Sequence, residues 1–305
     1  MPNDKVLRWA AQAVGGNSVV SAESLSSSTD RDSGTFRLRI KGTSAGTTDV
    51  ILKLSVPVWI NDRMVITNAR ALQLAETYGL SAPRLIAADI DGSASGTVAT
   101  LETFLLGSSD LPQTASPARL REAGAAIARV HTFNHQIEPG LPHRPRPCAV
   151  DDRAAERRRG LMPTTPLLQE ADQQVRSHRT QAAESVFLHG DVWAGNMLWD
   201  ADRCVALIDW KTAGVGDPGV DLGNLRMQMA LQYGQEAPAH VLEGWQEQAG
   251  RTATAVPYWD AVAALNTPTV MQGWGFADDG SPLDASAVTE RRDTFLRIAL
   301  DQLSA

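Results

Sequence analysis

Cysteine is scarce: Cys148 and Cys204 are the only two in 305 residues. Two thiols cannot build a disulfide framework or a cysteine-based zinc site, so a reducing compartment is expected and both thiols are expected to be inert. Basic charge is in deficit, with 28 Lys and Arg against 35 Asp and Glu and a net charge of −7. That balance argues against a sequence-independent grip on nucleic acid phosphates and against an anionic membrane surface as partner. No run reaches the roughly eighteen apolar residues of a bilayer span. The N-terminal MPNDKVLRWAAQAVGG lacks the long apolar segment and cleavage pattern of a secretory signal, so a cytoplasmic location is expected. No repeat of about twenty to fifty residues suggests a solenoid. What is present, 43% hydrophobic and 21% charged residues, describes a globular chain long enough for one large domain or two modest ones.

Two compositional regions follow one another. Up to residue 106 the chain reads as strand-rich, with β-prone runs at Val19 to Leu25, Thr35 to Ile40 and Val50 to Leu54 separated by Ser, Thr, Asp and Gly. A helix is predicted over Asn68 to Tyr78, stopped by Gly79 and Pro83, and two further strands at Arg84 to Ala88 and Thr97 to Phe104. From residue 107 to 305 helical segments dominate: Ser116 to Asn134, Leu167 to Glu184, Leu222 to Leu231, Ala237 to Ala249, Tyr258 to Trp274 and Ser286 to Leu303. Phe187 to Trp210 interrupts them with an apolar strand, a polar loop and two β-prone pieces, Met197 to Trp199 and Val205 to Asp209. Residues 139 to 147, rich in Pro, His and Arg, read as a loop. The fold class is α+β, a small β-rich part with one main helix followed by a larger helical part.

Chemistry concentrates in that interruption. His189-Gly190-Asp191 followed by Asn196 spells H-G-D-x-x-x-x-N, and thirteen residues later an apolar run ends in Asp209-Trp210. Phosphoryl transfer needs a carboxylate to orient the acceptor hydroxyl and hard oxygen ligands for Mg²⁺. Asp191, at the apex of a short loop, suits the first task; Asn196 and Asp209 suit the second. Four fixed letters at this spacing match by chance in about one of 500 such chains. The alternative is a hydrogen-bonded tight turn, which would not require the second acid.

Phe187 to Trp199, FLHGDVWAGNMLW, and Leu207 to Gly223, LIDWKTAGVGDPGVDLG, resemble the aminoglycoside phosphotransferase and choline kinase family. The resemblance covers nearly the whole chain and implies a bilobal, protein-kinase-like fold, with residues 1–106 as the nucleotide-binding lobe and 107–305 as the lobe carrying catalytic loop and acceptor site. It implies Asp191 as catalytic base, Asn196 and Asp209 as Mg²⁺ ligands, and Asp221 as a structural acid supporting the loop with His189. Ala125 to His131, AAIARVH, is similar to the family's helix ending in Leu-His. Lys53 sits where the family places its ATP-contacting lysine, against the alternative of a solvated strand lysine. Glu102 to Leu105, including Phe104, looks like the hinge that pairs with adenine through its backbone. Ser26 to Gly34 occupies the place of the nucleotide-positioning loop without a G-x-G-x-x-G; Ser27 and Ser28 would cover the phosphates, unless the segment is only a Ser-rich turn.

One departure stands out. Asn68 falls where an acidic residue usually pairs with the strand lysine, so the Lys53 ammonium is expected to be less firmly held, ATP affinity to be weaker, and Asn68→Glu to improve it. Lys211, at a position often acidic in relatives, reads as a surface charge. For the acceptor, Asp221, Asp260, Asp278, Asp279 and Asp284 offer carboxylates that would attract a polyamine sugar, with a solvated acidic loop as the alternative for Asp278 and Asp279. Trp193, inside the loop, and Trp245, Trp259 and Trp274 could stack on a ring or a quaternary ammonium, with core packing as their commoner fate.

The resemblance implies an ATP- and Mg²⁺-dependent O-phosphotransferase acting on an aminoglycoside-like antibiotic or a related metabolite such as an amino sugar, ketosamine or choline-like alcohol, as monomer or homodimer. A degenerate nucleotide-binding protein is the second reading. A protein kinase is disfavoured, since H-G-D replaces H-R-D and neither D-F-G nor A-P-E occurs.

Overall fold

Alternation along two neighbouring strands puts Phe36, Leu38, Ile40, Val50 and Leu52 on one face of a sheet and Arg37, Arg39, Ile51 and Lys53 on the other. An apolar face of that kind must be covered. In the computed structural model, which describes residues 1–25, 34–42, 46–56, 61–148, 151–178, 185–272 and 281–304, an N-terminal helix covers it. The chain divides into two compact units, the first comprising Met1–Leu106 with Pro139–Leu141 and Ile208–Lys211, the second the remainder.

The first unit runs α1 (Asp4–Ala13), β1 (Gly16–Ser24), β2 (Thr35–Gly42), β3 (Thr47–Leu54), α2 (Asp62–Thr77), β4 (Leu85–Asp89) and β5 (Ala99–Thr103). Its five strands form one antiparallel sheet in the order β1-β2-β3-β5-β4. Val6, Ala10 and Ala11 of α1 close the core over Phe36, Leu38, Ile40, Val50, Leu52, Ala99 and Leu101. The sequence pattern shows α1 only as a short amphipathic stretch. α2 begins six residues before the predicted Asn68, because the side chain of Asn61 caps it by accepting the Met64 amide at 3.1 Å. Val65, Ile66 and Thr67 in its first turns are β-branched and obscure the helical signal.

The second unit contains α3 (Pro117–Val130), α4 (Arg153–Arg158), α5 (Pro166–Ser177), β6 (Val186–Leu188), β7 (Met197–Asp200), β8 (Arg203–Leu207), β9 (Gly214–Gly216), α6 (Gly219–Tyr233), α7 (Ala237–Ala249), α8 (Val256–Leu265) and α9 (Ala285–Ser304). β7 and β8 form a hairpin in which Met197 faces Leu207; β6 pairs with β9, a Gly-Val-Gly strand too short to read from sequence. α3 and α7 approach backbone to backbone through two glycines: a Cβ on Gly124 would lie 2.0 Å from the Val241 carbonyl, and one on Gly244 1.9 Å from that of Arg121. Met227, Leu231, Leu265, Val288, Phe295 and Leu296 belong to the core shared by α6, α8 and α9.

Three predicted elements are corrected. α8 stops at Leu265, not Trp274, because Pro268 disfavours helical backbone at the residue before it. The carbonyls of its last residue and of the turn beyond it are taken by two buried guanidiniums, Arg157 on Leu265 and Thr267 and Arg292 on Pro268 and Thr269. Burial pulls Arg157 down to about 10. α5 ends at Ser177, where His178 turns extended; residues 179–184 of the predicted helix lie outside the described residues. Asp209 lies beyond β8 rather than at its end, with φ +66°. Among the described residues no helix is long and apolar enough to cross a membrane.

Candidate active site

The loop after β6 is fixed by a buried carboxylate. Asp221, in the first turn of α6, accepts the backbone amides of His189 and Gly190, one on each oxygen and each at 2.8 Å. Its Oδ2 also meets His131 Nε2 at 3.1 Å, while His131 Nδ1 accepts the Trp245 indole N–H at 3.0 Å. Since the indole can only donate, Nδ1 is the acceptor and Nε2–H faces the carboxylate, which assigns the tautomer from the network. Burial would raise the Asp221 carboxyl; the hydrogen bond from the neutral His131 ring, the nearby His189 and the Gly190 amide outweigh it and hold the group below its ordinary value. Gly190 has φ +83°, and a Cβ there would sit 2.1 Å from the Thr212 carbonyl, so only glycine fits beneath the loop.

Held in this way, the loop presents Asp191 half-buried. Asn196, in the 3₁₀ turn Ala194–Asn196, donates through Nδ2 to the Asp191 carbonyl at 2.8 Å, which turns its amide oxygen the other way. Asn224 of α6 ties down the Val192 carbonyl at 2.8 Å. The Cys148 thiol donates to Asp191 Oδ1 at 3.0 Å. The Trp193 indole lies over the α-carbon of Gly195. Asn196 immediately precedes β7, and Asp209 follows β8 by two residues.

A second cluster belongs to the first unit. Lys53 Nζ meets Asn68 Oδ1 at 3.0 Å, Asp209 Oδ1 at 3.2 Å and Glu102 Oε1 at 3.3 Å. The other oxygen of Asp209 accepts from Lys211. Desolvation alone would raise the Asp209 carboxyl; the two ammonium groups reverse that and hold it well below the usual carboxylate range, so it stays ionised at neutral pH. The left-handed backbone of Asp209 costs about 1–3 kcal/mol in a non-glycine residue, the kind of strain that collects at working sites.

The sequence model of the phosphotransferase enzyme family, APH, matches residues 32–265 of this chain, a span that holds both clusters. The chain belongs to that family. It is an enzyme of the phosphotransferase type. No curated protein matches it by sequence. Among solved structures it is similar to macrolide 2'-phosphotransferase MphH from Brachybacterium faecium (18% identity, 87% of this chain and 99% of that one, TM-score 0.58). A candidate fructosamine-3-kinase from Thermobifida fusca matches at 18% identity over 98% and 99%, with TM-score 0.60. A thermostable aminoglycoside phosphotransferase APH(4)-Ia, solved with ADP and hygromycin B, matches at 15% over 96% and 98%, with TM-score 0.59. At these identities the likeness establishes a shared kinase-like fold.

Within this phosphotransferase eight of the residues singled out by sequence fall into two groups. Asp191, Asn196, His189 and Trp193 share one loop, and Lys53, Asn68 and Glu102 form one buried cluster that half-buried Asp209 joins through Lys53. Asp221 is 1% exposed and both its oxygens are used inside the loop, so it is a structural acid and not an acceptor ligand. Asp260, likewise considered for the acceptor, is buried in a bidentate pair with Arg226, and Asp284 caps α9 through the Ala287 amide. Trp245 and Trp259 are core residues. Ser27, Ser28, Trp274, Asp278 and Asp279 lie outside the described residues. Phe104, just past β5, carries the Arg37 guanidinium over its ring at 4.1 Å.

Two expectations about Lys53 are overturned. The ammonium is not loosely held, because Glu102 supplies the carboxylate that Asn68 lacks; and Glu102, expected to matter only through its backbone, has a 3%-exposed side chain inside the cluster. Lys211 is not a free surface charge but a partner of Asp209. Cys148, expected to be inert, and Trp245, weighed between ring stacking and core packing, make contacts with Asp191 and His131 that the sequence could not show, because they span 43 and 114 residues.

Proposed function

We propose that this phosphotransferase moves the γ-phosphate of ATP onto a hydroxyl of an aminoglycoside-like antibiotic or a related small metabolite. The observation that carries the reading is the loop itself: a half-buried carboxylate at Asp191, set by a buried latch that spends Asp221, His131 and Trp245 on orienting one turn of chain. Residues 1–106 serve as the nucleotide-binding part, with the backbone beyond β5 at Phe104 for adenine and Lys53 for the phosphates; residues 107–305 carry the catalytic loop and acceptor site. The acidic balance of the chain, −7, favours a cationic acceptor over an anionic one, and the scarcity of cysteine fits a cytoplasmic enzyme.

The mechanism is positioning plus electrostatics. Asp191 accepts the proton of the acceptor hydroxyl as its oxygen attacks phosphorus, and Lys53 steadies the phosphate oxygens as a point charge. Asn196 and Asp209 are the side chains that would hold Mg²⁺. They fit a hard cation: Asn196 has its amide nitrogen committed to Asp191, leaving the oxygen as the donor end, and Asp209 is held ionised. Bound there, the ion would supply neutralisation of charge on the phosphates. The test is incubation of the purified protein with ATP, Mg²⁺ and a panel of aminoglycosides, macrolides, amino sugars, ketosamines and choline, read by mass spectrometry for a gain of one phosphate. ATP turnover with no modified acceptor across the panel would favour the degenerate nucleotide-binding reading instead.

A further inference from the structure

Strand geometry decides which acid can reach Lys53. In the β3–β5 ladder Lys53 faces Thr100 and Ile51 faces Glu102, so Lys53, Thr100 and Glu102 share one face of the sheet, with Glu102 the diagonal neighbour of Lys53. Diagonal pairs lie within reach of long side chains. α2 lays Asn68 over the same face, and its amide closes a ring: Lys53 Nζ donates to Asn68 Oδ1 at 3.0 Å, Asn68 Nδ2 donates to Glu102 Oε2 at 3.0 Å, and Glu102 Oε1 faces Lys53 Nζ at 3.3 Å. A second contact from Asn68 Nδ2 to Thr100 Oγ1, at 3.4 Å, fixes which way the amide points. Lys53, Asn68 and Glu102 are 5%, 0% and 3% exposed.

We propose that Glu102 is the residue that positions the Lys53 ammonium for the nucleotide phosphates, with Asn68 as the bridge that locks the pair, so that the acid of the lysine pair stands on strand β5 instead of helix α2. The inference rests on the reading of Lys53 as a phosphate-contacting residue. A buried ammonium needs a permanent counter-charge. Asp209 shares that duty here, but it is also the acid assigned to the metal; Glu102 is the carboxylate dedicated to the lysine. An amide at position 68 is what the arrangement requires, because it can accept from an ammonium and donate to a carboxylate at once, whereas a second carboxylate there would set two like charges against each other in a buried site.

Relocating the charge tests this. ATP binding is titrated directly, and kcat and KM for ATP and for the acceptor are measured, in wild type, Glu102→Gln, Asn68→Glu, the Glu102→Gln/Asn68→Glu double variant, Lys53→Met and the Lys53→Met/Glu102→Gln double variant. Glu102→Gln should weaken ATP binding and kcat/KM for ATP by about ten-fold while the acceptor KM stays within about two-fold. Asn68→Glu alone should also impair ATP use, and the double variant, which returns the acid to α2, should recover most of the loss, a coupling of opposite sign to simple addition. In the Lys53→Met background Glu102→Gln should add nothing further, a result that a merely structural carboxylate would not give. Unchanged kcat/KM for ATP in Glu102→Gln, no recovery in the double variant, or a full additive loss in the Lys53→Met background would each overturn the proposal. A wild type that does not bind ATP, or a Lys53→Met variant that binds it as tightly, would instead remove the reading of Lys53 and the proposal with it.

Discussion

The thiol of Cys148 donates a hydrogen bond to the carboxylate of Asp191 at 3.0 Å. The two residues lie 43 positions apart, and the Cys148 amide is bonded to the Gly190 carbonyl, so the chain before α4 is fastened to the loop by backbone as well as side chain. Cys204 is buried, and burial pushes its thiol up to about 12, out of reach of thiolate chemistry at neutral pH. The Asp191 carboxylate disfavours the Cys148 thiolate too, so N-ethylmaleimide should add at most one adduct to the native protein, slowly and on half-buried Cys148, and the modified fraction should lose phosphoryl transfer. Cys148→Ser should keep turnover and resist the reagent. Intact-mass analysis showing two adducts, or a fully active modified enzyme, would contradict this.

Asp191→Ala should lower kcat by about 10²–10⁴-fold, the usual worth of a positioned base, while ATP binding changes little. Single-turnover assays with any acceptor found in the panel would measure it. Wild-type turnover in this variant would reject Asp191 as the base.

Asp221→Asn should cost about 3 kcal/mol of stability and most of the activity, because an amide offers one oxygen where two backbone N–H groups and an imidazole now donate. The pH dependence has a definite sign. The folded carboxyl lies below its ordinary value of about 3.9, so its contribution is complete above roughly pH 5 and is lost as pH falls through the unfolded value toward the folded one. Thermal melts should show the midpoint dropping below about pH 4, with a shallower acid limb in Asp221→Asn. An acid limb of unchanged slope in the variant would exclude Asp221 as a contributor.

Lys211 holds one oxygen of Asp209 and Lys53 the other. A divalent cation on that carboxylate must compete with both, so Lys211→Met should lower the Mg²⁺ concentration needed for half-maximal velocity by about three-fold or more. A Mg²⁺ titration of initial rates decides the point; a higher requirement in the variant would show that Lys211 assists the metal.

How far the site could be read from residues alone follows from how local each part is. H-G-D-x-x-x-x-N is a turn and a single 3₁₀ step, so its spacing already carries its geometry, and AAIARVH pointed to the helix whose end holds His131. Glu102 could not be read, because its bond to Lys53 depends on the register between β3 and β5 and on the rotamer of an asparagine from a third element. The helix ending at Leu265 was hidden for a related reason: the Ala-rich pattern of α8 continues in composition, while the stop depends on Pro268 and on arginines from α4 and α9. β9, three residues long, exists only because β6 is there to pair with it.

The crossing of α3 and α7 has a reach beyond packing. His131 terminates the first of these helices and Trp245 belongs to the second, so the indole-to-imidazole bond is only as well aimed as the two backbones are close, and Gly124 and Gly244 set that closeness. A single methyl group added at either crossing point would wedge the helices apart, slacken the imidazole and loosen the turn that bears Asp191. Inactivating lesions in a random mutant library should accordingly surface at these two glycines, even though neither touches a reactant.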